Sequence, residues 1–436
     1  METKENKFNW MKNSISFKIT VIGFLILILL IPANMVKNLV LERQLRMREV
    51  QNEISQKWGG NQTIAGPVIT VPCVYQPDKK EDKPVTYYIT ILPDKLDITG
   101  KLIPEKRHRG IFDVIVYKSD IEIKSKFNIS DFDELYKGYS IKWHRAILVT
   151  GVTDTRGIQQ NIMYNINGKQ TETQPGTSFC SQFNSGVNAR VDLSQKKEFD
   201  VTCKLNVNGS GLFSVLPLGH ETTFYIESDW AHPQFDGSFL PDSEFVSDTG
   251  FTARWKVLQH NRNYPQHWLS TRNISNSEMG VELIEEVDIY QKSTRAVKYA
   301  VLFILLTFLV FFFTEVIIRK RAHPVQYLMT GAALVVFFSL LIALSEHIHF
   351  NLAYMVAAST IILMITFFTQ GIFKERKVTI TVFGVLAILF IFLFTILQVA
   401  DYSLIMGNIG LVIILAVIMF ISRKVDWFHE KETMNE

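Results

Sequence analysis

The chain of 436 residues carries 45 Lys and Arg against 42 Asp and Glu, a formal net charge of +3 at pH 7. That balance gives no global electrostatic drive toward nucleic acid, and the basic residues are scattered without interleaved aromatics. Cys73, Cys180 and Cys203 cannot all pair within one chain, and no Cys-x-x-Cys motif marks a zinc site. A Cys180–Cys203 bridge is open in an oxidising compartment, and three free thiols is the simpler reading.

Composition instead divides the chain between two solvents. Residues 40–295 are polar and studded with charge, Pro and Gly, whereas 299–422 are almost continuously apolar. Taken from the start, Lys4, Lys7, Lys12 and Lys18 precede an apolar run, Ile19–Val36, long enough to span a bilayer. A cleaved signal peptide would also carry such lysines, but Pro32-Ala33-Asn34-Met35 is a poor cleavage site and no lipobox cysteine follows. An uncleaved anchor is expected. It continues as a helix with Leu41, Leu45, Val50, Ile54 and Trp58 on roughly one face.

After Gly59-Gly60 the pattern becomes extended. Val68–Val71, Val85–Leu92, Ile111–Tyr117, Ile121–Ile129, Ala146–Thr150, Phe199–Leu205, Thr222–Ile226, Phe251–Val257 and Val281–Ile289 read as strands. Gly, Pro, Asn and Asp punctuate them as in an antiparallel sandwich or several packed sheets. Some 250 residues bury a core without disulfide staples. Five further apolar segments follow, near Tyr299–Ile318, Val325–Leu344, Phe350–Thr369, Val378–Gln398 and Ser403–Ser422.

Short-loop charge sets the orientation. The N-terminal lysines, Arg319-Lys320-Arg321, Lys374 with Arg376 and Lys377, and Arg423-Lys424 all fall on one side if both termini are cytoplasmic; loops 345–349 and 399–402 carry no Lys or Arg. The fold class expected is a membrane protein with six transmembrane α-helices, one N-terminal and five C-terminal. A large mainly-β extracytoplasmic domain is inserted after the first helix. Its parts are a cytoplasmic N-terminus (1–18), an anchor helix (19–36), the β domain with an N-terminal helix (37–298), a five-helix bundle (299–422) and a cytoplasmic tail (423–436).

No zinc-protease, nucleophile-elbow or phosphate-loop motif is present, and no catalytic residue, cofactor or metal site is assigned. Four constellations carry polar chemistry. Glu346, His347 and His349 end the third apolar segment and could ligate a metal or relay protons, although a polar helix end in the headgroup region explains them equally. Glu315 is an acid inside a span, a functional candidate by default, yet Arg319 one turn on offers a simple ion pair. His232 and Asp236 sit in the aromatic segment Ser228–Trp255, either a binding loop or a turn packed by its own rings. Asp154 and Arg156 flank a turn and either pair with each other or contact a polar ligand.

A series of short motifs now adds up. They are Gly66-Pro67-Val68-Ile-Thr-Val-Pro72, Arg109-Gly-Ile-Phe-Asp113, Asp154-Thr-Arg156-Gly157-Ile, Trp230-Ala-His-Pro233-Gln-Phe-Asp-Gly237 and Gly250-Phe-Thr-Ala-Arg-Trp255. At the membrane end stand Val287-Asp288-Ile-Tyr290, Arg295-Ala-Val-Lys298, His323-Pro324-Val-Gln326-Tyr327, Ser345-Glu346-His347, Ala353-Tyr354 and Asp401-Tyr402. In this order, over nearly the full length, the chain resembles the CreD family of bacterial inner-membrane, cell-envelope integrity proteins. Where that family's aromatic loop is expected to read Trp-Pro, this chain has Trp230-Ala231. The resemblance implies a Gram-negative inner-membrane location, a periplasmic domain, and a role in envelope stress under two-component control with links to β-lactam response. It brings no catalytic residues.

The function expected is therefore a non-enzymatic inner-membrane protein that supports envelope integrity by binding a lipid, a cell-wall component or another envelope protein. A transporter or lipid-handling carrier built on the helix bundle is the alternative, and an envelope hydrolase a more remote one. The partners expected are the lipid bilayer and one of those envelope ligands, with no nucleic acid and the oligomeric state left open.

Overall fold

The computed structural model describes residues 15–75, 84–177, 180, 183–272, 274, 277–283, 289–318, 322–398 and 403–423. Lys4, Lys7, Lys12, Asp288, the basic loop 319–321, Asp401, Tyr402 and Lys424, all used in the sequence reading, lie outside them. Packing divides the chain into two compact units, Met1–Met47 with Val287–Glu436, and Arg48–Glu286.

Helix α1 (Ile15–Trp58) runs through Pro32 without a break and contributes to both units. Its apolar 18-residue window is only 17% buried, with Phe24, Leu27, Ile31 and Met35 exposed, as a surface solvated by lipid tails requires. Towards its C-terminal end Val50 packs with Val114 and Val116, flanked by Ile54 and Trp58. Leu41 and Leu45, expected on the same face, are exposed.

Among its described residues, the unit 48–286 holds two sheets of ten and eight strands. In the first, Gln62–Tyr75 is central. It pairs antiparallel with Val85–Ile91 and Ala146–Val152, and parallel with Leu212–Val215. Strands covered on both faces need apolar side chains throughout, and this one is buried at nearly every position. The second sheet is built on the hairpin Lys95–Arg109 and Phe112–Asn128, extended by Glu198–Ser210 and, in parallel, by Glu221–Ser228. Here burial alternates residue by residue, the pattern of a sheet with one wet face. Both sheets contribute to one apolar cluster in which Trp255, Tyr117, Tyr164, Phe127, Phe213 and Phe224 are fully buried. Each such side chain is worth roughly 1.5–3 kcal/mol. The polar tips of the tyrosines stay satisfied: Tyr117 Oη donates to the Leu212 carbonyl at 2.8 Å and Tyr164 Oη to Thr150 Oγ1 at 2.7 Å. All three cysteines are buried thiols, and burial pushes the Cys203 thiol up to about 12, which leaves it inert as a nucleophile.

The architecture departs from the sequence expectation in three places. The two parallel pairings make the sheets mixed rather than antiparallel. Ile111–Tyr117 and Ile121–Ile129 merge into one long strand, because Lys118, Ser119 and Asp120 continue the alternation, Lys118 and Asp120 outward and Ser119 inward. The strand expected over Val281–Ile289 is Met279–Leu283, and Ile289 already begins a helix. Apart from the short α2 (Phe132–Leu135), the remaining α-helices among the described residues belong to the other unit.

That unit contains α3 (Ile289–Lys298), α4 (Ala300–Ile318), α5 (Pro324–Ser345), α6 (Phe350–Phe373), α7 (Arg376–Gln398) and α8 (Ser403–Ser422). Among the described residues, α1, α5, α6 and α7 are long and apolar enough to cross a membrane. The count becomes five if α3 and α4, bent by 43° where they meet, form one span. The sixth span expected from the sequence corresponds to α8, whose apolar run Ile405–Phe420 is shorter. Neighbours in sequence pack in order, α5 on α6 and α6 on α7.

Candidate functional site

Two acids of the helical unit, Glu315 of α4 and Glu346, lie at opposite ends of α5. At its start, His323-Pro324-Val-Gln326 forms a reciprocal cap. His323 Nδ1 accepts from the Val325 N–H at 3.3 Å, Gln326 Oε1 accepts from the His323 N–H at 2.9 Å, and Pro324 fills a position that needs no donor. One turn in, the cap delivers the buried Tyr327, whose hydroxyl donates to Glu315 Oε2 at 3.1 Å. Glu315 Oε1 accepts from the Ala322 N–H at 2.8 Å and from Lys18 Nζ of α1. Glu315 is only 3% exposed, and the Lys18 side chain is 31% exposed.

A carboxylate stripped of water costs several kcal/mol unless charge and hydrogen bonds replace the lost solvation. Here a cation, a hydroxyl and a backbone N–H do so. An edge-on contact from Phe308 and a tilted one from Phe311, with centroids at 5.4 and 5.9 Å, fix the Tyr327 ring. The seat for α1 is made nearby at Gly331, where a Cβ would stand 2.1 Å from Leu29 of α1. Arg319, the expected partner of Glu315, lies outside the described residues, and the described partners come from elsewhere in the chain.

At the other end of α5, Glu346 is the C-terminal cap residue. It accepts from Tyr290 Oη of α3 at 3.1 Å and faces Arg43 Nε of α1 at 3.7 Å. Lys18 and Arg43 are 25 residues apart on one helix, about 37 Å along its axis. Two cations of α1 thus meet two acids at either end of the bundle, over a distance comparable with a bilayer including its headgroups. His347 and His349 are exposed, and His349 precedes α6 without a side-chain cap bond. They are not gathered with Glu346 into one centre. Among the described residues no group of three or more His, Cys, Asp or Glu has the geometry to hold a metal.

In the β unit, Asp154 and Arg156 pair with each other. Asp154 Oδ1 accepts from the Arg156 backbone N–H at 3.0 Å, and Asp154 Oδ2 meets Nη2 at 2.6 Å. The hydrogen-bonded guanidinium holds the carboxyl below its ordinary value. Behind the pair, buried Gln62 binds the carbonyls of Gly59, Asp154 and Asn208 at 2.8–3.0 Å. Gly157 must lack a side chain, since a Cβ there would stand 2.3 Å from the Asn208 oxygen. The motif is a packed corner.

His232 and Asp236 lie at and beside the edge strand Pro233–Gly237, both exposed. Four residues of extended chain separate them by roughly 13 Å, too far to share a proton or a metal. The segment is ordered by its rings: Phe235 lies 5.8 Å from Trp255, whose Nε1 donates to the Phe239 carbonyl at 3.0 Å. What reads in sequence as a loop is two edge strands, Pro233–Gly237 and Ser243–Ser247.

Sequence reasoning missed the partners. Lys18 reads as one more basic residue before a span, and Tyr327 and Tyr290 enter only through motifs that carry the family resemblance. Arg262 was not singled out either. It is 8% exposed, donates to the carbonyls of Tyr264 and Gly219 at 3.1 Å, and lies 4.5 Å from the Tyr264 ring, with burial lowering its pKa.

The family profile described as "Inner membrane protein CreD" matches residues 14–428. The chain belongs to the CreD family. It is 32% identical over 428 residues to "Inner membrane protein CreD" of Escherichia coli (strain K12), covering 96% of this chain and 95% of that protein. As a CreD-family inner-membrane protein, it combines several apolar helices with a large, mostly-β domain.

Proposed function

We propose that this protein is a non-catalytic support of cell-envelope integrity and of the envelope-stress response, β-lactam stress included. In this reading it binds a lipid, a cell-wall component or another envelope protein. Six spans place both termini in the cytoplasm, and the domain 37–298 stands in the periplasm. The basic residues of alternate loops support that orientation.

The observation that carries the non-catalytic reading is how the candidate side chains are used. Asp154 and Arg156 close a corner on each other, and Glu315 is saturated by Lys18, Tyr327 and a backbone N–H. The test is complementation. Cells lacking the gene should become sensitive to detergent, cell-wall antibiotics or osmotic shock, and H232A and D236N proteins should restore resistance fully. Unchanged sensitivity on deletion would remove the basis of the proposal, and loss of rescue by folded, abundant H232A or D236N protein would favour a hydrolase.

A buried acid in a span also suits a carrier that moves a proton or a lipid. The two readings separate at Glu315→Gln. A carrier loses activity in this variant while the protein stays folded, whereas a structural acid tolerates the amide in proportion to the stability retained.

A further inference from the structure

Helix α3 carries Lys292, Arg295 and Lys298 and no acid. Their spacing of three places them along one flank. The neighbouring stripe, Tyr290, Ser293, Ala296 and Val297, is buried, and α3 packs on α5 and α7. Glu346, which faces this helix, is already engaged by Tyr290 and Arg43. Lys292 lies 5.3 Å above the Phe350 ring.

Three consecutive residues of α3 have buried polar atoms without a partner: Ser293 Oγ, Thr294 Oγ1 and Arg295 Nη1. Ser293 is 1% exposed, while Arg295 as a whole remains half-exposed. Hydroxyls inside helices readily satisfy themselves on the carbonyl four residues back, and Thr330, Thr366, Thr369, Thr379 and Thr395 all do so in this bundle. Ser293 and Thr294 do not. Ser293 faces the packed helices, on the side of α3 opposite Arg295. Donors left unmet at Thr294 and Arg295 beside a row of like charges are costly, and one kind of ligand would relieve both: an anion with several acceptor oxygens.

We propose that α3 is a binding site for a phosphate-bearing headgroup of an anionic phospholipid, with Arg295 as its main ligand, Lys292 and Lys298 as flanking charges, and Thr294 as a hydroxyl donor. An amphipathic helix joined by a 43° bend to an apolar one is suited to lie at the headgroup level. The proposal deepens the lipid-binding form of the function given above.

Native mass spectrometry of the full-length protein in neutral detergent tests it. Wild-type protein should retain phosphatidylglycerol over phosphatidylcholine, and Arg295→Gln should cut that preference roughly tenfold, about 1.4 kcal/mol. Arg295→Lys should keep most of it, and Thr294→Val should weaken it less than Arg295→Gln. Lys204→Gln, on the exposed side of a β-unit strand, should leave it unchanged. An excess of glycerol 3-phosphate should displace the lipid, and inorganic phosphate should do so more weakly. Wild-type protein with no preference overturns the site, as does an Arg295→Gln protein that keeps it, or a lipid that neither soluble phosphate displaces. Such a failure with complementation intact removes this site alone; failed complementation with the preference intact removes the functional reading instead.

Discussion

The β unit and the helical unit each contain a carboxylate held by a cation, and the two pairs differ in reach. Asp154 and Arg156 are two residues apart, and Arg156 is 64% exposed. Lys18 and Glu315 are 297 residues apart, and Glu315 is 3% exposed. The first pair closes a turn that Gln62 and Gly157 already define. The second joins the first helix to the C-terminal bundle, where the carboxylate is shielded from solvent. The same chemistry is decoration in one solvent and attachment in the other.

The largest effect that would sharpen this contrast is expected at Glu315. Glu315→Ala strands Lys18 and the Tyr327 hydroxyl and should cost about 3 kcal/mol, read as a fall in thermal unfolding temperature in detergent. The β unit has its own buried charge, which sets a second limit. Arg262→Met leaves the carbonyls of Gly219 and Tyr264 without their donor and should cost about 2 kcal/mol. A negligible change at Arg262 would mean that buried charge matters in one unit only.

A smaller effect is expected from pH. His267 Nδ1 and Tyr136 Oη share a hydrogen bond of 2.8 Å, and burial lowers the imidazole pKa from 6.5. The imidazole is therefore neutral when folded, and its contribution is complete above pH 6.5. It is lost as the pH falls below that value towards the folded pKa, because the unfolded chain then binds the proton more readily. Melting of the β unit should shift down between about pH 7.5 and 5.5, and His267→Gln should flatten that part of the shift. Smallest of all, Arg156→Gln should change stability by less than about 0.5 kcal/mol, since an exposed pair between near neighbours is worth little. A loss as large as that of Glu315→Ala would break the comparison.

Much of this was legible in the sequence, for reasons that differ by region. The apolar spans are a matter of length and composition, so their positions emerge directly. The strands of the second sheet alternate, and Phe199–Leu205 and Thr222–Ile226 were found that way. Lys95–Arg109 was not, because its charged wet face and Gly100 dilute the signal until the hairpin partner is known. Glu315 and Glu346 could be flagged, since an acid in an apolar stretch needs explanation. Their partners could not, because Lys18, Arg43 and Tyr290 meet them only through tertiary packing. Local geometry did carry the Asp154–Arg156 pair, whose two residues are neighbours in any turn.

The attachment of α1 is tested most directly by a double-mutant cycle on Lys18 and Glu315, following thermal unfolding of the full-length protein in detergent. Lys18→Met, Glu315→Gln and the double variant should reveal a coupling of at least about 1 kcal/mol, with the double variant more stable than the sum of the single losses predicts. Strict additivity, with the Lys18→Met protein as stable as wild type, would contradict the account.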